Sequence, residues 1–131
     1  DPGTGLQIGP YPLEIGRDRV SVEDAPVTIL KPGHPLLNLP NKIRPEDFSG
    51  WVQERGLYFP SKFDARYETV IASHDPGEKP LASGILYTKF GKGVFIYTSY
   101  SWFRELPAGV PGAFRIFANL LSAGKTVSAT P

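Results

Sequence analysis

The chain has 131 residues, of which 40% are hydrophobic and 21% charged, and its 14 Lys+Arg stand against 13 Asp+Glu for a formal charge of +1. That is ordinary globular usage with scattered basic residues and no apolar run of the length a spanning helix needs, which sets aside disorder, a membrane span and an electrostatic footprint for nucleic acid. The lack of cysteine removes disulfides, thiolate metal sites and a cysteine nucleophile from this chain.

The length predicts a single domain over 1–131, with loose ends at 1–8 and 125–131. Asp1-Pro2-Gly3-Thr4-Gly5 is not a signal peptide. With no methionine and Asp1 in first place, the chain reads as a processed product or an excised piece of something longer.

Gly 14 and Pro 14 cut the sequence into short elements. From Pro12 to Val20, Leu13 and Ile15 share one face and Glu14 the other, the period of a half-buried strand. Val27-Thr28-Ile29-Leu30 reads as a second strand, stopped by Lys31-Pro32-Gly33. His34 to Asn41 is a proline-rich connection, because a residue before proline is pushed out of the helical region.

Pro45-Glu46-Asp47 resembles the first turn of a helix, with acids at the positive end of its dipole, and Gly50 and Gly56 keep it short. Leu57-Tyr58-Phe59 leans to strand, and Tyr67 to Ser73 is a better one, rich in β-branched and aromatic residues. Gly84 to Phe90 and Val94 to Tyr100, joined by Gly91-Lys92-Gly93, predict an antiparallel hairpin with a three-residue turn. Its apolar residues fall on both faces, so it belongs in the middle of a covered sheet. The one strong helix is Pro111 to Ala123, with Val110, Ala113, Phe114, Phe117, Leu120 and Leu121 at helical spacing and Gly124 closing it.

The stretch Ser73-His74-Asp75-Pro76-Gly77-Glu78 holds one of the two histidines beside two carboxylates. As a metal-dependent hydrolase site it would combine His34, His74, Asp75 and Glu78. Asp-Pro-Gly is also strong turn chemistry, proline presetting one torsion and glycine supplying a positive one, and the turn is the favoured reading. No G-x-S-x-G and no phosphate loop occurs.

Trp51, Glu54, Arg55 and Tyr58 in one run, with Trp102 and Arg104 in another, mix aromatic faces with charges in a way that suits a sugar. The alternative is structural, Glu54 and Arg55 pairing with Arg104 and Glu105 to lock two segments together.

Gly33 to Leu37, Phe48 to Phe59, His74 to Glu78, Gly91 to Thr98 and Phe103 to Val110, taken in that order, resemble the C-terminal region of bacterial LmbE/PIG-L-type amino-sugar deacetylase polypeptides. The resemblance runs from about Gly9 to Ala123. It implies the later part of a class I glutamine-amidotransferase-like domain, similar also to ThuA-like domains: an α/β, flavodoxin-like fold with a mixed sheet, a C-terminal β-hairpin and a final packing helix. An active amidotransferase would carry a His-x-Glu pair after a late strand, where Thr98-Ser99-Tyr100-Ser101-Trp102 stands, and the deacetylase's His-Pro-Asp-Asp-Glu signature is absent. The resemblance therefore implies a non-catalytic accessory domain with no cofactor. Its partners would be the deacetylase domain and an amino-sugar glycan, in a bacterial periplasmic or secreted setting favoured over the cytoplasm. A purely structural, dimerising module is the remaining alternative.

Overall fold

The computed structural model describes residues 8–128, with side chains as far as Lys125. Strand β1 (Leu13–Val20) pairs antiparallel with β3 (Gly56–Phe63), β2 (Val27–Ile29) with β5 (Ile71–Ser73), and β4 (Glu68–Thr69), β6 (Ile85–Phe90) and β7 (Gly93–Thr98) form a third sheet in the order β4-β6-β7. Two helices follow, α1 (Trp102–Glu105) and α2 (Pro111–Ser128). The fold is mixed α/β, with small antiparallel sheets and a C-terminal helix. A mixed sheet was the expectation; every strand pairing named among the described residues is antiparallel, and no helix connects two adjacent strands as a parallel crossover would require.

The β1–β3 ladder slips between Glu14 and Ile15 and again on either side of Asp18. Two residues of β3 supply reasons: Pro60 has no N–H to give, and Tyr58 has a left-handed φ of 59°. Gly16 allows the close approach, since a Cβ there would lie 2.9 Å from the Phe59 carbonyl oxygen.

The run Tyr67 to Ser73, expected as one strand, is divided at Val70 between two sheets. The Val70 carbonyl accepts from Leu30 N and Lys31 N at 2.8 and 3.3 Å, which turns the backbone out of the β4 ladder and into the β2–β5 pair. The hairpin stands where expected, with its turn tighter by one residue: Phe90 pairs with Gly93, leaving Gly91 and Lys92, and Gly91 takes φ 58°. The first four residues of β6, flanked on both sides, are buried, whereas all of β7 is half-buried.

The short helix expected at Pro45 is a single 3₁₀ turn, Pro45–Phe48, and a second such turn, Pro35–Leu37, lies within the proline-rich connection, which also contains the cis Leu39–Pro40 peptide. Helix α2 continues through Gly124, where the sequence predicted an end, because nothing there reverses the chain and a glycine inside a helix costs only about 1 kcal/mol. Of the expected loose ends, 125–128 is helical, residue 8 is described, and 1–7 and 129–131 lie outside the described residues.

Of the residues expected on the core face of α2, Val110 and Ala113 are buried but Phe114 and Leu121 are 51% and 73% exposed; Ile116, Ala123 and the polar Asn119, which were not expected there, are buried as well. Val110, Ala113, Ile116 and Ala123 pack with Val20, Phe48, Phe59, Ile71, Ile85 and Trp102 in one core. Among the described residues no helix is long and apolar enough to cross a membrane.

Candidate functional site

The two tryptophans expected to form a sugar platform are instead parts of the core. Trp51 is 3% exposed, its Nε1–H donates to the Asp47 carbonyl at 3.0 Å, and its ring meets Phe48, Tyr100 and Trp102 at 5.8, 6.0 and 5.5 Å between centroids. Trp102 donates to Thr98 Oγ1 at 3.2 Å and lies 5.7 Å from Phe117. Such edge and tilted contacts are the usual packing of buried rings, and they leave little ring face for a ligand. Tyr58, by contrast, is 62% exposed and away from both indoles' ring contacts.

The charged residues of the same set work as fasteners. Arg55 is buried; its Nε and Nη2 donate to the Ala25 carbonyl at 3.1 and 2.8 Å, its Nη1 donates to the Phe48 carbonyl, and its guanidinium carbon lies 5.6 Å from the Trp51 ring centre. Burial draws its pKa down, opposed by Tyr100, Asp24 and Glu105. Glu54 Oε1 accepts from Arg104 Nε at 2.6 Å. Glu105 is fully buried and its Oε1 accepts from Val52 N at 2.7 Å. One further residue, Gln53, has a left-handed φ of 67° and donates its N–H to Glu23 Oε2 at 2.7 Å.

The expected lock between two segments is therefore half as expected. Glu54 and Arg104 do pair, while Arg55 and Glu105 turn to backbone carbonyls and a backbone N–H. The chemistry explains the choice: a guanidinium has five donors in a fork and can close on several carbonyls at once.

Beside this loop lies a cleft of about 460 Å³, lined by Glu23, Asp24, Ala25, Pro26, Val27, Pro45, Phe48, Ser49, Gly50, Trp51 and Arg55. Trp51 and Arg55 from the expected ligand set reach it; Glu54, Tyr58, Trp102 and Arg104 do not line it. Sequence reasoning missed Glu23 and Asp24, which are exposed and place two carboxylates on the cleft. The signal was present in Glu23-Asp24-Ala25-Pro26, a polar turn between two predicted strands, the sort of loop on which binding groups are carried.

The alternative metal set does not converge. His34 is buried against the Tyr87 ring, its Nδ1 accepts from Leu36 N at 3.1 Å, and its Nε2 faces Glu68 Oε1 at 3.2 Å, so the neutral ring carries its proton on Nε2. Burial lowers its pKa against the opposing pull of Glu68.

His74 Nδ1 contacts the Asp75 carbonyl oxygen at 2.9 Å. Asp75 faces elsewhere: Oδ2 accepts from Ser21 N and Oγ at 3.0 and 2.8 Å, and Oδ1 from Val22 N at 2.8 Å. Gly77 takes φ 81°, and Glu78 N donates to the Asp75 carbonyl, closing the turn. Among the described residues no three His, Asp or Glu side chains are grouped as metal ligands would be. Ser73 to Glu78 is a shaped turn whose carboxylate ties down a distant loop.

No family model matches the chain, and neither a curated protein nor a solved structure is found to be similar to it.

Proposed function

We propose that this chain is a non-catalytic accessory domain, and that, following the resemblance of its motifs, it is appended to an LmbE/PIG-L-type amino-sugar deacetylase that it supports. The observation that carries the first half is the employment of its charged residues. Asp75 from the hydrolase set, Glu54 and Arg55 from the sugar-binding set, and Glu105 are each engaged in holding one chain segment to another. A carboxylate that accepts three bonds from a neighbouring loop is a poor general base, because those bonds stabilise the ionised form and remove its appetite for a proton.

The class I amidotransferase-like assignment belongs to this proposal. It is supported by the order of elements in the second half of the chain, a glycine-turned hairpin, the short α1, and then α2 packed against β7. Glycan binding, if the domain contributes it, falls to the cleft rather than to an indole platform. The cleft combines carboxylates for sugar hydroxyls with two aromatic residues, Phe48 and Trp51.

The test has two arms. The purified chain, with and without added zinc, is assayed for release of acetate from N-acetyl-amino-sugar oligomers; the expected result is no turnover, and zinc-dependent turnover lost in H74A would replace this reading with the hydrolase. Deleting the region from its parent deacetylase is expected to lower that enzyme's thermal stability or its affinity for the glycan. A parent unaffected in both would remove the supporting role.

A further inference from the structure

Trp51 and Arg55, the two ends of the loop 51–55, line the cleft, and the backbone between them is fixed by carboxylates from two other parts of the chain. Glu23, from the loop after β1, accepts from Gln53 N; Glu105, from α1, accepts from Val52 N. Between these two bonds the backbone at Gln53 is held in the left-handed region that non-glycine residues rarely adopt, so the loop conformation is imposed by its partners rather than preferred by its residues.

Glu105 is unusual among the fasteners. It is 0% exposed, and its Oε2 has no hydrogen-bond partner among the described residues. Ser101 Oγ, on the residue that caps the start of α1, is also buried and also without one. The charges that bear on the carboxyl are Glu54 and Arg55 in the loop and Glu23 beyond it, with Arg104 on α1 already committed to Glu54. Two of the three are acidic, and the Arg55 donors named above are given to the carbonyls of Ala25 and Phe48. A protonated Glu105 fits this place: one oxygen accepts from Val52, and the neutral acid puts no buried charge beside Glu54 and Glu23. An ionised Glu105 leaves a charged oxygen buried without a donor, a costly arrangement that water can relieve only if the loop moves.

We propose that Glu105 is a proton-sensitive clasp behind the cleft, holding the loop Trp51–Arg55 closed when protonated and loosening it when ionised. The direction of its titration agrees: burial pushes the carboxyl above its ordinary value, against the Val52 bond and Arg55, with Glu54 and Glu23 adding to the push. Because the proton is bound more tightly in the closed loop, the stability this group adds to closure is fully present below the ordinary value of 4.5 and is lost as pH rises through the elevated one.

The experiment is a pH series on the intact chain that follows the Glu105 carboxyl carbon by NMR and the hydrogen exchange of the Val52 and Gln53 amides, with Leu86 in β6 as reference. Across the titration of Glu105, protection at Val52 and Gln53 is expected to fall by about tenfold per pH unit while Leu86 holds. E105Q, which keeps the shape of the protonated acid, is expected to abolish that dependence. If E105Q does not fold, the native protein still decides, because the carboxyl titration and the loss of protection must share one midpoint. A Glu105 that titrates at its ordinary value, loop protection that stays flat through the titration, or loop and reference amides that move together would each overturn the clasp.

Discussion

Single polar side chains bear most of the burden of shape in this molecule, and Asp75 shows how. Its three bonds to Ser21 and Val22 tie the turn at Ser73–Glu78 to the loop after β1. Burial alone would raise its pKa, but those bonds and the nearby Arg19 outweigh it and hold the carboxyl below its ordinary value. The group therefore stabilises the fold at pH values above 3.8, and that contribution is lost as pH falls below it. D75A is expected to cost about 1–3 kcal/mol in urea unfolding at neutral pH, and the gap between wild type and variant should close in acid. Arg55 sets a steeper case. Its removal leaves the Ala25 and Phe48 carbonyls unpaired, at about 1–3 kcal/mol for each, and R55K should recover only part, because one ammonium cannot serve both sites in the geometry of a fork. The partly exposed Glu54–Arg104 pair lies at the other extreme, and E54Q is expected to cost less than about 1 kcal/mol.

Among the elements, the hairpin β6–β7 and helix α2 were the most legible in sequence, because their β-branched runs, glycine turn and helical spacing are local signals. What escaped was the partner of each element. Nothing within Tyr67 to Ser73 says that the chain changes sheets at Val70, since the deciding bonds come from Leu30 and Lys31. On α2 the apolar spacing named Phe114 and Leu121 for the core, whereas the helix is turned so that Asn119 faces inward. Asn119 Nδ2 donates to the Leu36 and Asn41 carbonyls, both at 2.8 Å, and its Oδ1 accepts from Asn41 N at 3.0 Å, across 83 and 78 residues of sequence. N119A is expected to lower the unfolding midpoint by an amount worth about 1–3 kcal/mol, the cost of stranding those groups. Gly112 seats the start of the same helix: a Cβ there would fall on the Asp47 carbonyl group. G112A should therefore detach the first turn of α2 from the 3₁₀ turn at Pro45–Phe48, visible as lost amide protection in both segments.

At the scale of the whole molecule, three small sheets and a helix share one core, and no sheet is wide enough to organise the rest. The candidate site reflects this. Trp51 and Arg55 were legible as interesting residues, yet their burial was not, because whether an indole faces solvent depends on Tyr100 and Trp102 arriving from another segment. The cleft itself was illegible for the same reason, being assembled from the loop after β1, the 3₁₀ turn at Pro45–Phe48 and the approach to β3. His34 offers a check on that packing. Its pKa is lowered by burial, so the neutral ring contacting Tyr87 and Glu68 is the stable form, and acidification that charges it should destabilise the fold. H34Q would be expected to flatten that dependence in thermal melts across the mildly acid range.

The fasteners have a consequence for descent. Asp75, Arg55, Glu105 and Asn119 bond mainly to main-chain carbonyls or N–H groups, the side chains of Ser21 and Asn41 being the exceptions. Substitution can delete a side chain but not a main-chain partner, so the loops that supply only backbone are free to change their letters while the shape endures. Lineages sharing this architecture should keep a few isolated polar residues amid rewritten surroundings. Paired compensating replacements, the usual trace of touching side chains, should be scarce at these joints.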